Sequence, residues 1–387
     1  MKLSKKISGI KPSETLAITS KAKAMVAAGE DVVILAAGEP DFDTPEIVKN
    51  AGIEAIKKGQ TKYTPASGTL SLKKAICRKL KEDNNLEYEP KNIIVSNGAK
   101  HSIYNILQVI CSDGDEVLIV PPYWLSYPEM VKLAGGVPVF LPMNEDYKTT
   151  PDDIRKAITS RTKAIIINSP SNPTGVVYEE EELKKIADIC VEKNILIISD
   201  EIYEKIIFDG KKHISIASVS KEAYALTIVI NGVSKSHSMT GWRVGYAAGD
   251  EKIIKLASTL QSHATSNPCS ISQAASECAL TADLRKTMEK NTKEFSKRRD
   301  FLLKSFSGEE RLRAFRPSGA FYLFCDISGT GMDSFGFAEK ILKEKKVAVI
   351  PGGPFGDDGA IRISFATDMD TLEKGAKRIK DFINNRG

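Results

Sequence analysis

The stretch TIVINGVSKSHSMTGWRVG, Thr227 to Gly245, sets an apolar run against a loop of small and hydroxylated residues. Ile228, Val229 and Ile230 read as a buried strand, and Lys235 follows a few residues beyond its end. Arg243 stands further along, ahead of a second strand-like stretch. A lysine in such a loop is either solvated, as most are, or desolvated. In the second case a neighbouring cation such as Arg243 lowers its pKa and makes the amine a nucleophile.

Outward from this stretch the same grammar repeats. Between about Ile47 and Ser270, β-branched runs alternate with helix patterns. NIIVS (Asn92 to Ser96) precedes a helical pattern at Ile103, Ile106, Leu107 and Ile110, and DEVLIV ends at Val120. AIIIN ends at Asn168 and leads to YEEEELKKIADICVEK, where Leu183, Ile186, Ala187 and Cys190 recur at helical spacing. Its first turn is crowded with glutamates, which the helix dipole favours. NILIISDEIY supplies a further strand. Continuous apolar strands separated by helices predict an α/β fold with a mostly parallel sheet covered on both faces. Ligands of such sheets bind beyond the carboxyl ends of the strands.

The last hundred or so residues change character. A long charged helix pattern, Lys286 to Leu303, precedes the strand AFYLFCDI (Ala320 to Ile327). A helix near Phe335 to Lys345, the strands VAVIPG and AIRISFA, and a final helix follow. This mixture predicts a smaller α+β domain of residues 289–387, joined by residues 1–43, beside a large domain of residues 44–288. PGGPFGDDG (Pro351 to Gly359) is rich in glycine, but a strand rather than a helix follows it, so it is not a dinucleotide loop.

Bulk properties narrow the function. The 387 residues are 42% apolar and 27% charged, ordinary for a soluble globular protein. A net charge of +5 is spread along the chain without a basic block, which argues against nucleic acid or a membrane surface as partner. The six cysteines form no C-x-x-C pair and have no histidine at metal-ligand spacing, so no metal is expected. They read as reduced thiols of a cytoplasmic protein. The amino-terminal residues lack the apolar stretch of a signal peptide, and no apolar run approaches a membrane span.

Candidate functional residues cluster at strand ends. SNGAK (Ser96 to Lys100) opens a helix, where small residues and the helix amino terminus suit a phosphate, though a simple turn would look the same. SPSNPTG (Ser169 to Gly175) is a tight loop in which Asn172 is the side chain suited to point inward. In SDEIY, Asp200 ends an apolar strand, where an unpaired carboxylate is costly. A structural ion pair and a ligand contact both satisfy it. Taken together, a phosphate cradle, a buried acid and a reactive lysine suit pyridoxal phosphate chemistry.

These motifs, with KPSETLAI, GEPDFDTP, KYTPASG, PPYWLSYPEM, SKSHSMTGWRVGY, RPSGAFY and RISFA, resemble the class I pyridoxal-phosphate-dependent aminotransferases of fold type I, along almost the whole chain. The branch containing bacterial aspartate and prephenate aminotransferases is the most similar. The resemblance implies that Lys235 bonds pyridoxal 5'-phosphate covalently and moves the proton. It implies that Asp200 partners the pyridine nitrogen, that Tyr203 and Asn172 serve the ring's phenolic oxygen, and that Trp124 stacks on the ring. Ala99, Lys100, Ser234 and Arg243 are implied for the phosphate, with Tyr63 supplied by the neighbouring subunit of an obligatory homodimer. Gly38 and Arg362 are implied for the substrate α-carboxylate, where the arginine's planar fork suits a carboxylate.

The resemblance further implies ping-pong transfer of an amino group from an amino acid to a 2-oxo acid. QSHATSNP (Gln261 to Pro268) lacks the second arginine that one branch uses for a distal carboxylate. Lys100, with Thr15 and Lys11, is the alternative on the substrate side. Aspartate or glutamate is favoured, with prephenate and aromatic amino acids left open. Two lesser readings are a β-lyase on the same site and a non-catalytic cofactor-binding sensor. The sensor would carry a DNA-binding extension, and the chain begins almost directly at KPSETLAI.

Overall fold

The computed structural model describes residues 3–10 and 14–384. Its centre is a seven-stranded sheet made of β1 (Ile93–Ser96), β2 (Glu116–Ile119), β3 (Val137–Phe140), β4 (Thr162–Asn168), β5 (Leu196–Asp200), β6 (Thr227–Gly232) and β7 (Gly245–Ala248). The spatial order is β1-β7-β6-β5-β4-β2-β3. Every neighbouring pair is parallel except those of β7, which runs against both β6 and β1.

The apolar runs explain why these strands lie at the centre. Along β4, Ile166 packs into one layer with Ile198, Ile228 and Ile230, while Ile165 and Ile167 join Ile197 in another. Alternation puts neighbours on opposite faces, so both faces need a cover. Helix Ala99–Ile110 contributes Ile103, Ile106 and Leu107 to the first layer, and helix Glu180–Lys193 contributes Leu183, Ile186 and Cys190 to the second. Each fully buried isoleucine is worth about 1.5–3 kcal/mol, so the sheet is a stiff platform for whatever its edge carries.

A second, antiparallel sheet holds β8 (Arg313–Ala314), β9 (Tyr322–Asp326), β10 (Ile350–Pro351) and β11 (Ala360–Ser364), in the order β10-β11-β9-β8. The single strand expected from VAVIPG is in fact two. Val347–Ala348 pairs in parallel with Val33–Ile34, while Ile350–Pro351 pairs with β11. The chain changes partners at Val349, so one apolar run serves two sheets. Among the described residues, no helix is long and apolar enough to cross a membrane.

Candidate active site

The carboxyl ends of β4, β5 and β6 lie side by side, because Asn168 pairs with Asp200 and Asp200 with Ile230. The loops that leave them carry Asn172, Tyr203 and Lys235. The reversal of β7 adds something a wholly parallel sheet could not. Gly245, its first residue, lies opposite both Gly232 and Ser96. Arg243 therefore enters the same edge from the chain's other direction and meets the loop that leaves β1. A cavity of about 480 Å³ opens there, between the two sheets, and Arg362 and Tyr322 reach it from the second one.

Asp200 is buried, and its carboxylate accepts a 2.6 Å hydrogen bond from Tyr127 Oη and a 3.2 Å bond from the Ile202 N–H. Burial pushes its pKa up to about 6, against the lowering effect of those two donors. Lys235 donates to the Gly38 carbonyl at 2.5 Å. Its pKa is lowered to about 8, first by burial; Glu39 opposes the change, while Arg362 and Arg243 reinforce it. Desolvation and Arg243, both expected from the sequence, act here together with Arg362. An amine poised near neutral pH both attacks and transfers protons.

Tyr203 and Tyr322 share a hydrogen bond of 2.8 Å between their hydroxyls. Arg362 stacks its guanidinium on the Tyr322 ring, 4.2 Å from the centroid. It donates to Asn172 Oδ1 at 2.9 Å and to the Ala36 carbonyl at 3.2 Å, and its buried Nε has no partner among the described residues. A buried N–H without an acceptor is costly, and here it belongs to a fork suited to a carboxylate. Burial also lowers the Arg362 pKa from its ordinary value.

The β1 loop forms a narrow cradle. Gly98, with φ of +86°, caps helix Ala99–Ile110, and a Cβ on it would come within 2.4 Å of Arg243 Nη2. A Cβ on Gly245 would fall 2.1 Å from the Ala99 nitrogen. Arg243 is held by the carbonyls of Thr240, at 2.9 Å, and Asn97, at 3.2 Å. Lys100 sits with Nζ 4.8 Å from the Trp124 ring centroid, and burial with Arg243 lowers its pKa. Among the described residues, the cavity is lined by five cations, Lys23, Lys100, Lys235, Arg243 and Arg362, against two carboxylates, Glu39 and Asp200. Such a site attracts anions.

Of the residues expected from sequence, Gly38, Ala99, Lys100, Trp124, Asn172, Asp200, Tyr203, Ser234, Lys235, Arg243 and Arg362 all line this cavity. Tyr63 does not, and it is 91% exposed. Lys11 and the side chain of Thr15 lie outside the described residues. Thr15 belongs to helix Glu14–Ala27, whose Thr19 and Lys23 do line the cavity. Sequence reasoning missed Tyr127, Tyr322, Glu39 and Thr240, although PPYWLSYPEM, RPSGAFY and GEPDFDTP contain three of them. Thr240 donates to Glu39 at 2.8 Å.

A parallel sheet whose carboxyl edge offers a depressed lysine, a buried aspartate and a small-residue cradle beside an arginine defines a pyridoxal-phosphate enzyme. The fit is physical: Gly98 and Gly245 let Arg243 and the amino terminus of helix Ala99–Ile110 close together into a cradle suited to a phosphate, the buried acid suits a protonated ring nitrogen, and the Arg362 fork suits a carboxylate. The chain belongs to the class I and II aminotransferase family, whose model matches residues 30–379. It is therefore an aminotransferase, and pyridoxal 5'-phosphate is its cofactor. It is 48% identical to an aspartate aminotransferase of Bacillus subtilis, over 99% of both chains. It is 42% identical to an aspartate/prephenate aminotransferase of Nitrosomonas europaea, over 99% of this chain and 100% of that one. The structure of aspartate aminotransferase from Thermus thermophilus with maleate superposes with a TM-score of 0.95 at 41% identity, covering 98% of this chain and 99% of that one.

Proposed function

We propose that the chain moves the amino group of aspartate or glutamate to a 2-oxo acid, working as a cytoplasmic homodimer with shared sites. The observation that carries this reading is the pair of cations at separate points of one cavity. Arg362 is anchored by Asn172 and Ala36, and Lys100 lies over Trp124. Two cations suit a substrate with two carboxylates. The maleate named in the Thermus thermophilus structure is a dicarboxylate, as aspartate is. Prephenate stands second, because the Nitrosomonas europaea relative is named for it as well.

Each residue has a task in this reading. Arg362 and the Gly38 backbone hold the α-carboxylate, and the Asn172 amide and Tyr203 hydroxyl hold the cofactor's ring oxygen. Ala99, Ser234 and Arg243 bind the phosphate, with Lys100 at the edge of that site serving the substrate's second carboxylate as well, and Tyr63 of a second copy completes it, which suits that side chain's exposure. When bound, the cofactor accepts the electron pair left at the substrate Cα. Lys235 Nζ takes the Cα proton and redelivers it, as base and then acid. Asp200 keeps the ring nitrogen protonated. Burial of Asp200 and Arg362 strengthens their interactions with charged groups.

Residues 44–288 form the large domain in this reading, and residues 1–43 with 289–387 the small one. The pairing of Val33–Ile34 with Val347–Ala348 supports that grouping. The six unpaired thiols suit the cytoplasm. The test is a panel of amino donors followed by the spectral change of the bound cofactor. Aspartate and glutamate should outpace phenylalanine, with a prephenate couple run in competition. A preference for phenylalanine would overturn the dicarboxylate reading, and ammonia release would point to a lyase.

A further inference from the structure

Behind the cavity, the turn after β5 carries a second set of charged residues that take no part in the chemistry above. Glu201 and Glu204 alternate with Asp200 and Tyr203 along the chain, and both are buried. Glu201 accepts from Ser199 Oγ at 2.8 Å and from Ser215 Oγ at 2.6 Å, and it contacts His213 Nε2 at 2.9 Å. Glu204 pairs with the buried Lys79 ammonium of helix Leu70–Asn84 and accepts from Asn84 Nδ2 at 2.9 Å. Lys79 closes the triangle by donating to Asn84 Oδ1 at 2.7 Å.

Glu201, Glu204 and His213 also bring potential metal-ligand atoms within 4.8 Å of one another. The Lys79 ammonium already supplies the compensating charge there. Burial alone would raise the Glu204 carboxyl; Lys79, His213 and Lys205 outweigh it and hold the pKa down to about 2. Glu204 is therefore ionised opposite a cation. Buried ion pairs of this kind are poor stabilisers, because desolvation offsets their attraction. What they do well is fix geometry.

The backbone shows what is fixed. The Glu204 N–H donates to the Glu201 carbonyl at 2.9 Å, and the Glu201 N–H donates to the Ile230 carbonyl of β6 at 2.9 Å. The turn is thus tied to the strand that leads to Lys235. His237, two positions past Lys235, is buried, and its pKa is lowered to about 4, first by burial and then by Lys205 and Lys79.

We propose that Lys79, Glu204 and Glu201 are positioning residues, a charged bolt behind the sheet edge that holds the Asp200–Tyr203 turn in register with the Lys235 loop. The inference rests on the aminotransferase chemistry proposed above, with Asp200 and Tyr203 meeting the cofactor. Displacing a reacting group by about 1 Å costs up to about a hundredfold in rate.

The test uses the cofactor-loaded protein in three forms: Lys79→Met, Lys79→Arg, and the charge-free double variant Lys79→Met/Glu204→Gln. Four quantities are read, namely kcat, KM, the pH at which the visible band of the Lys235-linked cofactor titrates, and the melting temperature. Positioning predicts that Lys79→Met and the double variant lose on the order of ten- to a hundredfold in kcat with little change in KM. Their band titration shifts, and Lys79→Arg restores both. The double variant removes both charges of the Lys79–Glu204 pair and so leaves neither without the other, which keeps the test open should Lys79→Met fail to fold. A double variant with unaltered kcat and band titration, whatever its melting temperature, would overturn the proposal. Unmodified protein that fails to convert any amino donor would instead sink the reading beneath it.

Discussion

Removing one hydroxyl, Tyr127→Phe, tests the electrostatics of the site at its most sensitive point. Tyr127 is the leading donor that opposes burial at Asp200, across 2.6 Å. A hydrogen bond to a charged group is worth about 1.5–3 kcal/mol, which is about one to two pKa units. The variant should therefore move Asp200 from about 6 to about 7–8. In the proposed role the ionised carboxylate pairs with a protonated ring nitrogen, and it is lost as pH falls through the pKa. Apparent cofactor affinity then falls with it, sooner in the variant than in the unmodified protein. The assay is the cofactor dissociation constant of both proteins between pH 5 and 9, expressed as variant over unmodified. The titrations of the cofactor itself and of Lys235 cancel in that quotient. It should stay near one above about pH 8, climb as pH falls, and level off below about pH 6 at about ten- to a hundredfold. A quotient that does not change with pH would refute the argument, because the hydroxyl would then not be setting the acidity of Asp200.

Three further outcomes are expected. Lys235→Ala should bind cofactor without a covalent link and give no spectral conversion with any amino donor in a single-turnover experiment; normal conversion would remove Lys235 from its role. Arg362→Lys replaces a fork with a point charge, and two charge-assisted bonds at about 1.5–3 kcal/mol each put the largest loss in kcat/KM at about 10²–10⁴-fold. Steady-state kinetics on aspartate should show most of that loss in KM, and a change below about fivefold would contradict the anchor role. Tyr63→Phe should weaken phosphate binding, and mixing Tyr63→Ala with Lys235→Ala protein should recover activity through hybrid dimers that contain one intact site. No recovery, with hybrids shown to form, would place Tyr63 outside the neighbour's site.

Much of the architecture was legible because burial on both faces leaves a clear mark. The isoleucine-rich runs of β4, β5 and β6 could be little else, and the side chains just beyond their ends came with them. β3 escaped notice because Pro138 and Pro142 break up its apolar run VPVFLP as a strand signal, and both end residues of this sheet-edge strand, Val137 and Phe140, are exposed. VAVIPG misled for the opposite reason: its apolarity is uniform, and only tertiary pairing shows that it divides. The same limit governs the site. Tyr127 meets Asp200 across 73 positions, and Tyr203 meets Tyr322 across 119. Those contacts depend on how strands and domains stack, which local pattern does not encode. The Lys79–Glu204 pair was invisible for that reason too.

The backward course of β7 has a consequence for how the protein matures. The phosphate cradle is built from two pieces of chain 146 positions apart, Asn97 and Arg243, that come together only once β7 has inserted between β1 and β6. A partly assembled sheet has no cradle, so the cofactor favours the finished edge alone and adds its binding energy to that state. Bound cofactor therefore stabilises the completed sheet, with β7 in place, over any form that lacks it.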